Sequence, residues 1–360
     1  MVLLLMLVGC MKAVTTPPES ARVVQSVVGV PSRIAFGSCS KQSKEQPILD
    51  SIVAKRPDLM LYLGDNIYAD TQRPMKMRRR YRRLAAKPEF IRLRTAMPTL
   101  STWDDHDYGL NNAGSELSSK EESKSEFLKF WGVAADSPRW SRPGIYGQHT
   151  FEDKGRRLQV ILLDTRWFRG PLKENPEIKQ RAYDFPFKRE YQPDDDPGIT
   201  MLGEAQWAWL EAQLRQPADL RIVVTSIQFG HSYNGFESWN NLPRERERME
   251  RLIQQTEASG VVFLSGDVHW GEISRLDSSH VDYPLYDVTS SGLTQIWQTT
   301  EYNDNRLGPV ITEEHFGLLD IDWSVPDPVI TMALINIAGE TVSTTQITLS
   351  ELSGGRATGG

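Results

Sequence analysis

The sequence predicts an α/β fold built in layers, and three observations carry that prediction. Short apolar runs recur along the 360 residues, and most end in polar punctuation. Several runs are continuous rather than alternating, as expected for strands covered on both faces. Helix-like segments lie between them, and strands alternating with helices indicate stacked layers of sheet and helix.

In chain order, the predicted strands of the first two-thirds are Arg33 to Phe36, Leu59 to Leu63, Met97 to Trp103, Leu158 to Leu163, Arg221 to Ile227 and Val261 to Leu264. The helices between them are Pro47 to Arg56, Pro74 to Thr95 (rich in Arg and Leu), Glu121 to Trp131, Glu204 to Leu214 and Pro243 to Ala258. EAQWAWLEAQL, from Glu204, is clearly amphipathic. The C-terminal part changes character: Pro284 to Thr289, Leu318 to Trp323, Val329 to Ile337 and Thr341 to Leu349 read as consecutive strands, with Ala338-Gly339-Glu340 as a hairpin turn. These extend or complete a second sheet. No internal repeat is visible.

Composition bounds the function. Hydrophobic content of 39% and charged content of 24% are ordinary for a globular protein. The net charge of −6 gives no surface built to hold nucleic acid, and nothing marks an obligate protein partner. The reading is one domain over 33–350, preceded by a signal or lipoprotein segment and linker over 1–32 and followed by a flexible tail over 351–360. The apolar run at residues 2–9 is too short to span a bilayer. It resembles the h-region of a secretory signal, and Leu7-Val8-Gly9-Cys10 resembles the lipobox of bacterial lipoproteins, although no Lys or Arg precedes it. The expectation is an exported protein, periplasmic or held to the membrane by a lipid on Cys10. That leaves Cys39 alone, either an inert buried thiol or a ligand. The basic run Arg78-Arg79-Arg80, with Arg82 and Arg83, reads as a solvated helix face or as a rim that draws an anionic substrate.

The strand ends carry the chemistry. After the first run comes Gly37-Ser38-Cys39-Ser40; after the second, Gly64-Asp65-Asn66-Ile67-Tyr68-Ala69-Asp70; after the third, Asp104-Asp105-His106-Asp107. Asp164-Thr165-Arg166 follows the fourth, and Ser265-Gly266-Asp267-Val268-His269 follows Val261 to Leu264. Ligand sites in open α/β sheets lie at the carboxyl ends of strands. One Gly-Asp after a strand is usually a turn; so many metal- and phosphate-binding groups at one edge are not explained that way.

The stretches FGSCS, GDNIYAD, TWDDHDYGLN, LDTR, ESWNNLPRER and SGDVHWGEI together resemble the calcineurin-like metallophosphatases, and more closely the PhoD-like (alkaline phosphatase D) family. The resemblance implies a four-layer α/β/β/α sandwich with mixed sheets, a two- or three-metal site at one edge, and hydrolysis of phosphate esters. Asp65, with two carboxylate oxygens, matches the family's bridging ligand. Cys39, Tyr68 and His269 suit an oxidised transition metal, and the resemblance points to Fe³⁺. Asp65, Asp105 and Asp267 offer only oxygen, the donor set of a hard cation, and the resemblance favours one or two Ca²⁺, other divalent metals being possible. The wider calcineurin-like pattern opens with Asp-x-His, has Asn-His at its centre and ends in Gly-His-x-His; this chain has Ser38-Cys39-Ser40, Asp105-His106 and Gly266-Asp267-Val268-His269. Those departures are PhoD-like.

His106 is the candidate acid facing the leaving-group oxygen or the phosphoryl oxygens. Arg166 either forks onto phosphate oxygens or pairs with Asp164 or Asp267. Gln228 occupies the place of the pattern's middle His, and His231 is either a loop residue or a substrate contact. Trp103, Trp239 and Trp270 are expected to wall the pocket or to be core. The polar insertion Lys173 to Pro197 reads as a lid that sets substrate size. The expected reaction is in-line attack on a phosphomonoester or phosphodiester by a metal-bound hydroxide near Asp65. Two alternatives stand beside it: a nuclease or phospholipase-type phosphodiesterase on the same fold, and a non-catalytic envelope protein that keeps metals for structure.

Overall fold

The apolar run from Arg33 forms strand β1 (Arg33–Gly37), and the chain then alternates as α1 (Pro47–Ala54), β2 (Leu59–Tyr62), α2 (Pro74–Ala85), α3 (Pro88–Ala96) and β3 (Thr99–Ser101) in a computed structural model that describes residues 27–175 and 190–354. There follow α4 (Asp105–Tyr108), α5 (Lys120–Trp131), β4 (Gly147–Asp153), β5 (Arg156–Leu162), α6 (Gly203–Leu214), β6 (Leu220–Val224), α7 (Pro243–Gln255) and β7 (Val261–Ser265). The C-terminal part is all strand: β8 (Gly271–Leu276), β9 (Leu285–Ser290), β10 (Arg306–Ile311), β11 (His315–Asp322), β12 (Val329–Asn336) and β13 (Thr341–Thr348).

These strands make two mixed sheets. One has the order β13-β12-β11-β1-β2-β3, with β1, β2 and β3 parallel and the C-terminal strands antiparallel. The other has the order β10-β8-β9-β7-β6-β5-β4, with a parallel centre of β5, β6, β7 and β9. Alternating side chains of a strand point to opposite faces, and the core follows that rule. Ile34, Phe36, Leu59 and Leu61 enter a core shared with the second sheet and with α6 and α7. Ala35, Met60 and Tyr62 enter another, filled by α1, α2, α3 and α5.

The predicted helix Pro74 to Thr95 is two helices. Pro88 is the cause: the residue before a proline is driven out of the helical region, and Lys87 is extended at φ −73°, ψ 125°. The Arg run lies on the outward side of α2, with Met77, Tyr81 and Leu84 buried beneath; Arg78 pairs with Glu126 at 2.5 Å. Strands β4, β8 and β10 carry no apolar run to announce them. Strand β4 is a largely polar sheet edge, β10 is an edge strand interrupted by Gly308-Pro309, and β8 buries Glu272 and Ser274 among its apolar residues. The chain is ordered beyond residue 350. Ser350–Leu352 forms a 3₁₀ turn, Leu352 is buried, and its carbonyl accepts the Gly260 N–H at 2.8 Å. The export segment, Cys10 included, and residues 355–360 lie outside the described residues. Among those described, no helix is long and apolar enough to cross a membrane.

Candidate metal centre

The loops after β1, β2, β3 and β7 meet at one cavity of about 150 Å³, lined among others by Asp65, Asp105, His106, Asp267 and His269. Donor atoms of Cys39, Asp65 and His269 lie within 4.8 Å of one another, as do those of Asp65, Asp105 and His106, and those of Asp104, Asp105 and Asp267. The Tyr68 hydroxyl is 3.1 Å from His269 Nε2. The structure therefore brings together all six of the expected ligands.

The backbone is bent to do it. Cys39, Asp65, Asp267 and His269 have φ of 62°, 50°, 75° and 64°. L-residues rarely adopt such angles, and residues held there cluster at functional sites. Each stands where the chain leaves a strand sharply and turns its side chain back over the strand ends. Asp105 and His106 are presented differently, on the single turn of α4. Asp107 closes that turn by accepting the Asp104 N–H at 2.7 Å and binds the Asn66 side-chain amide through its other oxygen. The Asn112 N–H reaches Asp105 Oδ2 at 2.7 Å, and Asp105 Oδ1, buried, has no hydrogen-bond partner among the described residues.

The electrostatics fit cations. Burial, followed by the neighbouring negative groups, pushes the Cys39 thiol up. Burial likewise raises the Tyr68 phenol, with Cys39 and Asp65 adding to it, and raises Asp65 and Asp267. Without positive charge these groups are driven towards their protonated forms; a metal reverses that preference, because ligands bind deprotonated. Cys39 and His269 group with Asp65, and Tyr68 with His269, whereas Asp105 groups with Asp104 and Asp267, so the donor types fit two unlike cations. Burial pulls His269 down to about 4, leaving a neutral imidazole able to ligate. His106 behaves oppositely. Burial lowers it, but Asp65, Asp105 and Asp70 outweigh burial and carry it up to about 11. Its Nδ1 is 2.5 Å from Asp70 Oδ1. Cations on Asp65 and Asp105 would offset those charges and bring His106 back towards its ordinary value.

Arg166 does not fork into the cavity. It is fully buried, with Nε 2.6 Å from Asp104 Oδ1 and Nη1 2.6 Å from Glu237 Oε2; Arg169 joins Glu237 at 3.1 Å. The guanidinium pairs with Asp104 and Glu237, not with Asp164 or Asp267; only the Arg166 backbone N–H reaches Asp164 Oδ1, at 3.0 Å. Asp164 also accepts from the Trp103 indole at 2.9 Å. Gln228 is saturated by Glu272, Thr289 and Asn234, and His231 is sealed in the interior. Trp103, Trp239 and Trp270 are buried; the first two tie separate segments together through their indole N–H groups, to Asp164 and Thr225, and Trp270 donates to Glu272 two residues along the chain. The aromatic wall of the cavity is Tyr191, Phe236 and Trp297. Most of the insertion, 176–189, lies outside the described residues; its stem pairs Glu174 with Tyr191, and Glu190 and Tyr191 line the cavity. Sequence reasoning assigned no role to Glu237 or Asn112, and it marked Asp70 as an oxygen donor at a strand end without pairing it with His106. GDNIYAD and ESWNNLPRER contain Asp70 and Glu237, but nothing in those strings says which side chain turns inward.

The PhoD-like phosphatase family matches residues 34–300, a stretch that holds every candidate ligand. Alkaline phosphatase D of Bacillus subtilis (strain 168) is 25% identical over 316 residues, covering 76% of this chain and 50% of that protein. The chain thus spans about half the length of this curated relative. Among solved structures, that of PhoD superposes with a TM-score of 0.60 at 20% identity, covering 89% of this chain and 73% of the other. A dimetal phosphatase from Danio rerio gives 0.55 at 13% identity, covering 89% and 100%. GAP50, the anchor in the inner membrane complex of Plasmodium, gives 0.55 at 14%, covering 88% and 89%. At such identities the structural likeness speaks to the fold. With nearly three quarters of its length matched and its strand-end motifs gathered at one site, the chain belongs to the PhoD-like phosphatase family.

Proposed function

We propose that this chain hydrolyses phosphate esters at a metal centre held by Cys39, Asp65, Tyr68, Asp105, Asp267 and His269. The observation that carries the reading is the left-handed backbone at Cys39, Asp65, Asp267 and His269: Asp65, Asp267 and His269 line one cavity, and the Cys39 thiol lies with Asp65 and His269. Cys39, Asp65, Tyr68 and His269 would hold Fe³⁺, and Asp65, Asp105 and Asp267 would hold Ca²⁺. When bound, such ions polarise phosphoryl oxygens and activate water at moderate pH.

The chain's own residues do the rest. Asp70 holds His106 Nδ1, which leaves Nε2 for the cavity, and a protonated imidazole there gives its proton to the leaving-group oxygen. Arg166 is a positioning residue: it neutralises Asp104, which begins the turn that presents Asp105 and His106. Monoesters and diesters are both within this chemistry. Export, with or without a lipid on Cys10, rests on residues 2–10 alone.

The test is turnover of p-nitrophenyl phosphate and bis-p-nitrophenyl phosphate by Asp65→Asn and Cys39→Ala. Each variant should fall by at least about a hundredfold, by analogy with losses on disturbing metal shells, while its circular dichroism stays that of the parent. Full activity in either would sink the ligand assignment.

A further inference from the structure

The cavity is two-sided. Among its lining residues Asp65 and Asp105 are buried and stand with His106, Asp267 and His269 as its floor, whereas Tyr191 and Phe236 are half-buried and Trp297 is exposed, which places the three rings at its mouth. Of the large apolar side chains exposed among the described residues, Trp297 alone lines this cavity, and it is 39% exposed. It is also anchored. Its backbone N–H binds the His269 carbonyl at 2.9 Å, and its indole stands 5.0 Å from the His269 ring, nearly edge-on at 78°. Phe236 leans on it at 5.2 Å. Phe236 is adjacent to Glu237, which Arg166 and Arg169 pin in place. Two aromatic rings are thus fixed to the same loops that carry His269 and the Arg166 ion pairs.

An ester whose phosphoryl group lies on the floor must send its alcohol portion outward, past these rings. An exposed indole against a cation-binding floor has little structural purpose; offset or edge-on contact with a planar ring is what such a surface does well. We infer that Trp297 and Phe236 form a platform for a planar aromatic leaving group, so that aryl or nucleoside esters are favoured over alkyl esters of the same charge. The inference rests on the phosphoesterase reading and names the substrate class of that same site.

Binding without turnover tests it. Phenylphosphonate and methylphosphonate share a head group and differ in the planar ring. Their inhibition constants would be measured on the metal-loaded protein, on Trp297→Ala and on Trp297→Phe. The parent should bind phenylphosphonate more tightly by about fivefold, the worth of one aromatic contact. Trp297→Ala should bring the ratio towards one, and Trp297→Phe should restore most of it. A parent ratio near one, or a ratio that survives Trp297→Ala, would overturn the platform while leaving phosphate-ester hydrolysis standing. Failure of the parent to bind either phosphonate or to turn over any phosphoester would overturn the hydrolase reading, and the platform with it.

Discussion

At Cys39, Asp65, Asp267 and His269 the protein accepts backbone angles that glycine would adopt freely. Residues held so carry a cost of order 1–3 kcal/mol each, which function must justify. Asp267→Gly should therefore be more stable than Asp267→Ala by about 1 kcal/mol in urea unfolding of chelated protein; equal midpoints would say the angle carries no strain. A second residue sets a pH dependence away from the ligands. His315 is buried, with the alpha-carbons of Gly271 and Gly292 facing its ring. Burial pulls it down from 6.5 to about 4. Between those values the unfolded chain binds a proton that the native protein refuses, so stability is full above about 6.5 and falls as pH drops towards 4, by about 3 kcal/mol. Burial lifts Asp287 to about 6, which gives an opposite slope between the ordinary carboxylate value and that pH. The difference between parent and His315→Gln isolates the histidine, and parallel stability–pH curves would refute the assignment.

At the scale of elements, the site depends on how loops are tied. The single turn of α4 is too short to be stable alone; Asp107, Asn66 and the Asp104–Arg166 pair hold it. Removing one partner of a buried pair leaves uncompensated charge, so Arg166→Ala should cost about 3–5 kcal/mol, read as a lower urea midpoint. An unchanged midpoint would mean that Asp104 and Glu237 find other partners. Gly266 makes a similar point sterically, since a methyl there would lie 2.3 Å from Ser38 Oγ. Gly266→Ala should push the Asp267 loop off the β1 loop and lower both stability and turnover; parent-like values of both would contradict that packing. Buried parallel strands were legible because they read as unbroken apolar runs that end where the ligands begin. Strand β4 was not, because it shows the solvent a polar face, and β10 was not, because Gly308-Pro309 interrupts its apolar residues. The break at Pro88 was written in the sequence and is explained by proline sterics alone.

At the scale of the molecule, both sheets contribute to one centre: β1, β2 and β3 from the first and β7 from the second. That explains why the candidate ligands could be located from the strands and the residues around them could not. Cys39, Asp65, Tyr68, Asp105, Asp267 and His269 each stand within six residues of a strand end, so counting from the strands finds them. Glu237 and Trp297 reach the site from long connections with no period to follow, and the inward turn of Arg166 is set by Glu237, far along the chain. Whether these six residues hold unlike metals is read by elemental analysis, with visible absorbance, of protein purified without chelator. Protein so purified should carry roughly one iron with one or more calcium ions, and should show a charge-transfer band that Tyr68→Phe or Cys39→Ala shifts or abolishes. A folded protein that carries two manganese or zinc ions and shows no band would contradict the assignment of Cys39 and Tyr68.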